Sequence, residues 1–312
     1  EAVLTCKVET LTDLMKWNGR MGCLLGTPAY QVGDMQFSQI SILGEGGFST
    51  VYLVRELASK KRFAMKKMIV ADVKEDVRKV KWEMEVHERC EHDRIVPLVG
   101  FCQPESSVFC LFFPFYPNGT LSDHIATRCK DGEHLEQREV LRLVKQLCSA
   151  LYHVHRLSIA HWDLKPANVL LDEKMDTKLT DFGSAHRMPI SIHDRKESQR
   201  LVDEAAQLST MPYRPPELFL CEVGTELTTL LDIWSLGCVL YESMYGVSPF
   251  LSALQSGGSI ALAVQSPHTV SYSADAPFDF SLVELCRNLL RVNPSERPTA
   301  ADIISHIDTL SV

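Results

Sequence analysis

A segment in the middle of the chain brings together residue types that are suited to phosphoryl transfer. Residues 161–168 read HWDLKPAN. Asp163 can accept a hydroxyl proton, Lys165 can sit against a transferred phosphoryl group, and Asn168 offers a neutral oxygen to a metal ion. Asp181 opens an Asp-Phe-Gly tripeptide thirteen residues after Asn168 and supplies a second hard oxygen ligand. Because Mg²⁺ takes few protein ligands and prefers oxygen, Asn168 and Asp181 are the predicted metal ligands.

A glycine-rich segment lies earlier in the chain, where residues 43–51 read LGEGGFSTV between two β-rich patterns. Glycines let backbone N–H groups approach a polyphosphate without a Cβ in the way. An ordinary hairpin turn explains the same glycines, and the motif alone does not decide between the two. Ser49 occupies the third glycine position of G-x-G-x-x-G and no helical pattern follows it, which excludes a dinucleotide-binding fingerprint.

A lysine and a glutamate form a predicted ion pair. Lys66 lies between apolar neighbours at the end of a strand pattern, and a buried ammonium needs a counter-charge. Glu83 lies on the helical pattern that follows and is the candidate carboxylate. Taken alone, a lysine or a glutamate of this kind is usually a solvated surface charge.

The elements that must position these residues are indicated by the hydrophobic pattern. No sustained period runs through residues 1–36, which we interpret as an N-terminal extension. Three short β-rich runs within 37–68 predict an antiparallel meander, and a helical pattern at 72–91 and two more β-rich runs follow. The strand patterns cover 37–43, 50–55, 62–68, 95–101 and 107–113.

The rest of the chain is helical in pattern. Residues 140–154 carry the apolar stripe of a helix with one buried face. A second helix is predicted to end at Gly246, with Pro249 beyond it. Further helical patterns cover 260–264, 282–290 and 300–310. The predicted fold is α+β, with a small β-rich lobe containing one main helix joined near residues 114–118 to a larger helical lobe.

Composition limits the partners and the location of the chain. Its 32 basic and 40 acidic residues give a net charge of −8, which argues against nucleic acid as a partner. Ten cysteines without a Cys-x-x-Cys pair favour a reducing compartment, and we predict the cytoplasm. The longest apolar run, Val108–Tyr116, is half of the ~20 residues that cross a bilayer.

Taken in order, the motifs from residue 37 onward resemble those of eukaryotic protein kinases. The resemblance implies a bilobal kinase domain over residues 37–311, with an N-lobe at 37–115 and a C-lobe at 116–311. It also implies ATP and Mg²⁺ as cofactors and proteins as substrates.

The same resemblance assigns roles to individual residues. Lys66 would hold the α- and β-phosphates of ATP and pair with Glu83, and Phe113 would be the gatekeeper. The implied catalytic residues are Asp163 as base, Lys165 and Asn168, and the implied Mg²⁺ ligands are Asn168 and Asp181. The implied nucleotide contacts are Leu43, Gly44, Gly46, Gly47, Val51, Ala64, Lys66, Glu83, Phe113, Pro114 and Tyr116.

Two features resemble serine/threonine kinases rather than tyrosine kinases. Lys165 stands in an Asp-Leu-Lys-Pro-x-Asn stretch, and Thr210 matches a threonine that contacts the catalytic Asp and Lys. The implied activity is transfer of the ATP γ-phosphoryl group to Ser/Thr hydroxyls, with autophosphorylation in the activation segment. Glu217 is expected to pair with Arg297 as a buried anchor of that segment. The alternative is a pseudokinase that binds nucleotide and serves as a scaffold.

A narrower likeness is to the Numb-associated kinase family, closest in its myristoylated and palmitoylated serine/threonine kinase branch. The stretches that carry it are 43–49, 203–207, 234–241 and 258–265. That family has an extra helix in the activation segment, and residues 201–208 are the candidate for it.

Trp162 departs from the kinase pattern, because most kinases carry an arginine there that pairs with a phosphorylated activation segment. An indole cannot make that charge-assisted contact. Activation by loop phosphorylation through this residue is therefore not expected.

The tripeptide Met21-Gly22-Cys23 predicts a membrane anchor if translation starts at Met21. Gly22 would then be myristoylated and Cys23 palmitoylated, which provides the two chains that stable attachment needs. The membrane would be the cytoplasmic face of the Golgi or another organelle. Gly26 stands where the motif prefers Ser or Thr, and a glycine inside a tail is the alternative interpretation.

Overall fold

The structure is a computed structural model that describes seven stretches of the chain. They are residues 22–24, 27–46, 49–70, 74–130, 133–266, 270–273 and 277–310. The described residues form two compact units. The first contains the described residues up to Glu91 together with Val96–Phe115, and the second contains His92–Ile95 and the described residues from Tyr116 onward.

The first unit is built on an antiparallel sheet in which the structure describes seven strands. In chain order they are β1 (Gly22–Leu24), β2 (Thr27–Val32), β3 (Met35–Glu45), β4 (Ser49–Glu56), β5 (Arg62–Ile69), β6 (Gly100–Glu105) and β7 (Val108–Pro114). Their order across the sheet is β1-β2-β3-β4-β5-β7-β6. A helix, α1 (Lys74–Arg89), separates β5 from β6 along the chain. The antiparallel meander predicted from the three runs within 37–68 is confirmed in β3, β4 and β5, and α1 is the predicted main helix.

Two of these strands come from the segment that we predicted to be an extension. β2 pairs with β3, and Tyr30 and Val32 alternate into the core at 3% and 7% exposure. The Tyr30 ring meets the ring of Phe112 edge-on, with centroids 6.4 Å apart. A strand of six residues carries too few alternations for its period to be recognised in a sequence.

One strand begins later than the sequence pattern predicts. The pattern predicts a strand at 95–101, whereas β6 begins at Gly100. Pro97 has no N–H to donate to a ladder, and Ile95 forms only an isolated parallel bridge with Leu179. The strand prediction is therefore wrong for the residues before Gly100.

The second unit is mainly helical. Its α-helices are α2 (Leu121–Lys130), α3 (Gln137–Arg156), α4 (Arg195–Leu208), α5 (Glu217–Leu220), α6 (Leu231–Tyr245), α7 (Leu251–Gln255), α8 (Ile260–Ala263), α9 (Phe280–Leu289) and α10 (Ala300–Leu310). Its short strands are β8 (Ile159–Ala160), β9 (Val169–Leu171), β10 (Thr177–Leu179), β11 (His186–Arg187), β12 (Ile190–Ser191) and β13 (Glu226–Leu227). They pair as β9 with β10, β8 with β11 and β12 with β13. The α+β class is confirmed, and among the described helices none is long and apolar enough to cross a membrane.

The helices follow the hydrophobic pattern closely. The six apolar residues of the predicted stripe on α3 are at most 1% exposed, namely Val140, Leu143, Val144, Leu147, Leu151 and Val154. α6 ends where predicted, because Gly246 adopts a φ of 77° and its N–H donates to the carbonyl of Glu242 at 2.8 Å. Glycine is the residue that takes this left-handed conformation at least cost.

The extra helix predicted at 201–208 is confirmed and is longer than predicted. α4 begins at Arg195 because Asp194 caps its first turn. The Asp194 carboxylate accepts from the N–H of Glu197 at 2.8 Å, and the Glu197 carboxylate accepts from the N–H of His193 at 2.9 Å.

A charged cluster joins α3 to the loop between β9 and β10. The Asp176 carboxylate accepts hydrogen bonds from Arg94 at 2.7 Å, Arg142 at 2.8 Å and Gln146 at 2.6 Å. These contacts lower the pKa of the Asp176 carboxyl from its ordinary value, and the hydrogen bond from Arg94 is the largest cause. The ionised carboxylate therefore stabilises the second unit.

We expect Asp176→Asn to lower the free energy of unfolding by about 1–3 kcal/mol near neutral pH. Because the folded-state pKa lies below the unfolded value of about 3.9, the contribution is complete above that value. It is lost as pH falls through the folded-state pKa, so the two proteins should converge in acid. Urea unfolding over a pH series measures this convergence.

The matched control for Asp176 is Glu173→Gln, which changes an exposed carboxylate in the same loop. It should alter the free energy of unfolding by less than about 0.5 kcal/mol. A loss in Asp176→Asn that stays constant toward acid would contradict the account.

Candidate active site

Lys66 and Glu83 form the predicted ion pair within the first unit. β5 carries Lys66 and α1 carries Glu83, and the Nζ and Oε1 atoms lie 2.7 Å apart. The Lys66 side chain is 15% exposed and that of Glu83 is 4% exposed. Each charge therefore has a counter-charge where water is largely excluded, and removal of either partner would leave a buried charge uncompensated. The pair is confirmed, and the interpretation as solvated surface charges is excluded.

The glycine-rich segment covers the end of β3 and the start of β4. Gly44 lies opposite Val51 in register, and the N–H of Gly46 donates to the carbonyl of Ser49 at 2.7 Å. Gly47 lies outside the described residues. A Cβ at Gly44 would meet no atom of the described residues within 4 Å, its chain neighbours aside, so packing does not call for glycine there. The open space is what close approach of a ligand to this backbone requires.

The other residues assigned to the nucleotide lie along the sheet or just after it. Ala64 on β5 is in register with Phe113 on β7. Phe113, the predicted gatekeeper, is 8% exposed, and Leu43 is 46% exposed. β7 ends at Pro114, and Tyr116 follows two residues later in the chain. Burial raises the pKa of Tyr116 to about 12, so its hydroxyl is neutral.

In the second unit, Asp163, Lys165 and Asn168 meet at one point. The Lys165 Nζ lies 2.7 Å from Asp163 Oδ2. The Asn168 amide nitrogen donates to the Asp163 backbone carbonyl at 2.9 Å and to Oδ2 at 3.3 Å. Thr210 donates its N–H to Asp163 Oδ1 at 2.7 Å, and its hydroxyl accepts from Lys165 Nζ at 2.6 Å. The predicted contact of Thr210 with both side chains is confirmed.

A buried carboxylate holds the backbone of this loop. Asp232 in the first turn of α6 is 0% exposed and accepts from the N–H groups of His161 at 2.8 Å and Trp162 at 3.0 Å. Its Oδ2 also lies 2.9 Å from Nε2 of His155. Trp162 has a φ of 71°, a left-handed conformation that is costly for a bulky residue. The two N–H bonds therefore stabilise a strained turn directly before Asp163.

Asn168 and Asp181 present the oxygen chemistry that Mg²⁺ prefers. The amide nitrogen of Asn168 donates to Asp163, so the amide oxygen of Asn168 faces the other way and is left for another ligand. Asp181 has a φ of 65° and directly precedes the 3₁₀ turn Phe182–Ser184. One carboxylate and one amide oxygen are enough for Mg²⁺, whose other ligands are phosphate and water oxygens. Over the described ranges, no group of three or more His, Cys, Asp or Glu side chains could hold a metal.

The segment that follows is anchored by two buried arginines. Arg214 donates from Nε to the Ser209 hydroxyl at 2.7 Å and from Nη2 to the Ser209 carbonyl at 2.9 Å. Burial lowers the pKa of the Arg214 guanidinium, and the Asp163 carboxylate acts in the opposite direction. Glu217 makes a bidentate pair with Arg297 at 2.6 and 2.8 Å, and the Arg297 side chain is 0% exposed. This predicted pair is confirmed.

Two parts of the site are missing from the sequence prediction. Asp232 did carry a signal, because an aspartate inside the apolar run 230–240 must find partners when it is buried. The second part is a stack of the Trp162 indole on the His186 imidazole, which left no signal, because the sequence does not indicate which distant side chains pack together.

Residues 37–307 match the family described as the protein kinase domain. The chain is 32% identical to serine/threonine-protein kinase 16 of Homo sapiens over 295 residues, which cover 94% of this chain and 96% of that protein. It is 30% identical over 305 residues to serine/threonine-protein kinase ppk13 of Schizosaccharomyces pombe, covering 86% and 88%. It is 24% identical over 341 residues to serine/threonine-protein kinase ENV7 of Saccharomyces cerevisiae, covering 90% and 93%.

Proposed function

The chain belongs to the protein kinase domain family and transfers the γ-phosphoryl group of ATP to serine or threonine hydroxyls, and we propose that the cluster around Asp163 is its catalytic centre. The observation that carries the proposal is the set of contacts among Asp163, Lys165 and Thr210. Both carboxylate oxygens of Asp163 have a partner at 2.7 Å, one the Thr210 N–H and the other the Lys165 ammonium.

Asp163 acts as the base of this centre. Its carboxylate accepts the hydroxyl proton of the substrate while the hydroxyl oxygen attacks the γ-phosphorus. The bond from that phosphorus to the bridging oxygen breaks, and ADP leaves with the electron pair. Lys165 sets its ammonium against the negative charge of the transferred group. Thr210 fixes both side chains in place, so little orientational entropy is lost at the moment of reaction.

Residues that belong mainly to the first unit bind the nucleotide in this proposal. Lys66, fixed by Glu83, binds the α- and β-phosphates as a preorganised cation. The backbone N–H groups near Gly44, Gly46 and Gly47 approach the phosphates. Leu43, Val51, Ala64 and Phe113 supply apolar surface for the adenine, and backbone groups of Pro114 and Tyr116 hydrogen-bond it.

Asn168 and Asp181 would hold Mg²⁺. The bound ion neutralises negative charge on the phosphate oxygens. The protein contributes the orientation of the ligands, because the hydrogen bonds from the Asn168 amide to Asp163 fix which way its oxygen faces.

The pseudokinase alternative is not supported. The relatives that match over most of the chain are named serine/threonine kinases. The five residues that the reaction needs are all present, namely Lys66, Glu83, Asp163, Asn168 and Asp181.

We also propose that the chain belongs to the Numb-associated kinases, in the acylated serine/threonine branch. Two observations support this family assignment. They are the sequence stretches that resemble the family and the presence of α4, a helix of fourteen residues in the activation segment.

The proposed role of Asp163 predicts the loss of phosphoryl transfer in Asp163→Asn. The amide cannot accept the substrate proton, so we expect the rate to fall by about 100-fold or more. Transfer of radiolabelled phosphate from ATP to dephosphorylated casein measures the rate, and phosphoamino acid analysis should find label on serine and threonine only.

Glu173→Gln is the control for Asp163→Asn, because it removes an exposed carboxylate outside the centre. It should retain the wild-type rate. Chelation with EDTA should abolish transfer in the wild-type protein and in Glu173→Gln, and added Mg²⁺ should restore it in both. Wild-type activity in Asp163→Asn would overturn the assignment of the base.

We propose, further, that the chain is anchored to a membrane by acylation when translation starts at Met21. Gly22–Leu24 forms β1 at one end of the strand order, paired with β2 through the backbone. A myristoyl chain on the Gly22 nitrogen and a palmitoyl chain on Cys23 would supply the two anchors that stable attachment requires.

Expression in a eukaryotic cell from Met21 tests the anchor. Intact mass should show one myristoyl and one palmitoyl group, and the protein should sediment with membranes. Gly22→Ala should remove both modifications, whereas Cys23→Ser should remove only the palmitoyl group and weaken sedimentation. An N-terminus without acyl mass would rule the anchor out.

A further inference from the structure

Trp162 is buried in a place where its indole acts through packing. The side chain is 1% exposed, and its Nε1 has no hydrogen-bond partner among the described residues. The indole stacks on the imidazole of His186, with centroids 4.0 Å apart and planes inclined by 25°. Because Trp162 directly precedes Asp163, this stack bears on the position of the catalytic loop.

His186 connects the stack to α4. Its Nδ1 lies 2.8 Å from the carbonyl of Ser184, and its Nε2 lies 3.2 Å from Oε1 of Glu204 on α4. Arg200, one turn earlier on the same helix, donates to the other Glu204 oxygen at 2.8 Å. Each ring nitrogen therefore faces an oxygen acceptor, and an N–H bond to either of them orients the imidazole under the indole.

The buried face of α4 belongs to the same hydrophobic cluster as the indole. Leu201 and Ala205 are both 0% exposed and belong to one hydrophobic cluster with Trp162. Directly after α4, the Ser209 hydroxyl donates to the Ala205 carbonyl at 2.7 Å, and Thr210 then contacts the catalytic aspartate. The indole is thus linked to α4 through His186 and Glu204, and the end of α4 is linked to the catalytic centre through Ser209 and Thr210.

We propose that Trp162 is a positioning residue, which ties α4 to the catalytic loop through its stack on His186. The segment then holds Thr210 on Asp163 without a phosphate group in it. This inference rests on the catalytic role proposed for Asp163. An arginine at position 162 would need an anion as its partner, whereas the indole is stabilised by apolar and aromatic contact. The anion here is the carboxylate of Glu204, which contacts His186, so the arrangement needs no phosphate group.

A double-mutant cycle of Trp162→Leu and His186→Leu in the full chain tests the proposal. Initial rates with ATP and dephosphorylated casein give kcat and both KM values. We expect each single variant to lower kcat by about two- to tenfold, with the KM for ATP unchanged. The kcat of the double variant should be no lower than that of the single variant with the lower kcat, because both changes remove the same stack. Losses that multiply in the double variant would overturn the proposal.

Conservative variants separate stacking from simple filling of the core. Trp162→Phe keeps an aromatic ring and should return kcat to within about twofold of wild type. His186→Phe retains a ring against Trp162 and should have a higher kcat than His186→Leu. If Trp162→Leu does not fold, the comparison of His186→Phe with His186→Leu tests the proposal. Equal kcat in His186→Phe and His186→Leu would contradict a role for the stack.

Two further variants complete the experiment. Gln207→Ala changes an exposed residue of α4 and should leave kcat unchanged. Ser191→Ala/Ser198→Ala removes two phosphate acceptors from the segment and should keep kcat within about twofold of wild type. If the kcat of Ser191→Ala/Ser198→Ala falls to that of Trp162→Leu, a phosphate group in the segment is needed and the proposal is wrong.

Asp163→Asn distinguishes the two levels of the account. If it is inactive while the cycle is multiplicative, the stack proposal alone fails. If Asp163→Asn retains wild-type activity, the assignment of the catalytic centre fails, and the stack proposal that rests on that assignment fails as well.

Discussion

The geometry of the catalytic centre depends on the buried carboxylate of Asp232. A charge at 0% exposure is tolerated only where its oxygens are engaged, and here they accept from His161, Trp162 and His155. Two of these donors are consecutive backbone N–H groups, so the carboxylate fixes the peptide that leads into Asp163. The left-handed φ of Trp162 persists because this contact determines it.

The same helix end also receives the activation segment. Arg297 donates to the carbonyl of Leu230 at 3.0 Å, and its guanidinium lies 5.2 Å from the ring centroid of Trp234 on α6. Through its bidentate pair with Glu217, Arg297 joins the end of the segment to this helix. The loop that carries Asp163 and the segment that carries Thr210 are thus both positioned by the start of α6.

The sequence predicts the site best where a chemical requirement dictates the residue type. The pairing of Lys66 with Glu83 follows from the need of a buried ammonium for a counter-charge, and it is present. The contact of Thr210 with Asp163 was implied by the resemblance to serine/threonine kinases, and it is present as well. The long stripe of α3 is equally clear, because six apolar residues repeat at helical spacing. β2 and the stack on Trp162 could not be predicted, since a short strand and a contact between distant residues leave no periodic trace in the sequence.

The kcat of Asp232→Asn tests most directly whether this buried carboxylate positions the catalytic centre. Asparagine keeps the size of the side chain but turns an NH₂ donor toward one of its present donors, which must then separate. We expect kcat to fall on the order of 100-fold in the folded protein, because the base is displaced from the reacting hydroxyl. The KM for ATP should stay near its wild-type value, since the residues proposed to bind the nucleotide belong mainly to the first unit. A folded Asp232→Asn protein with the wild-type kcat would contradict the account.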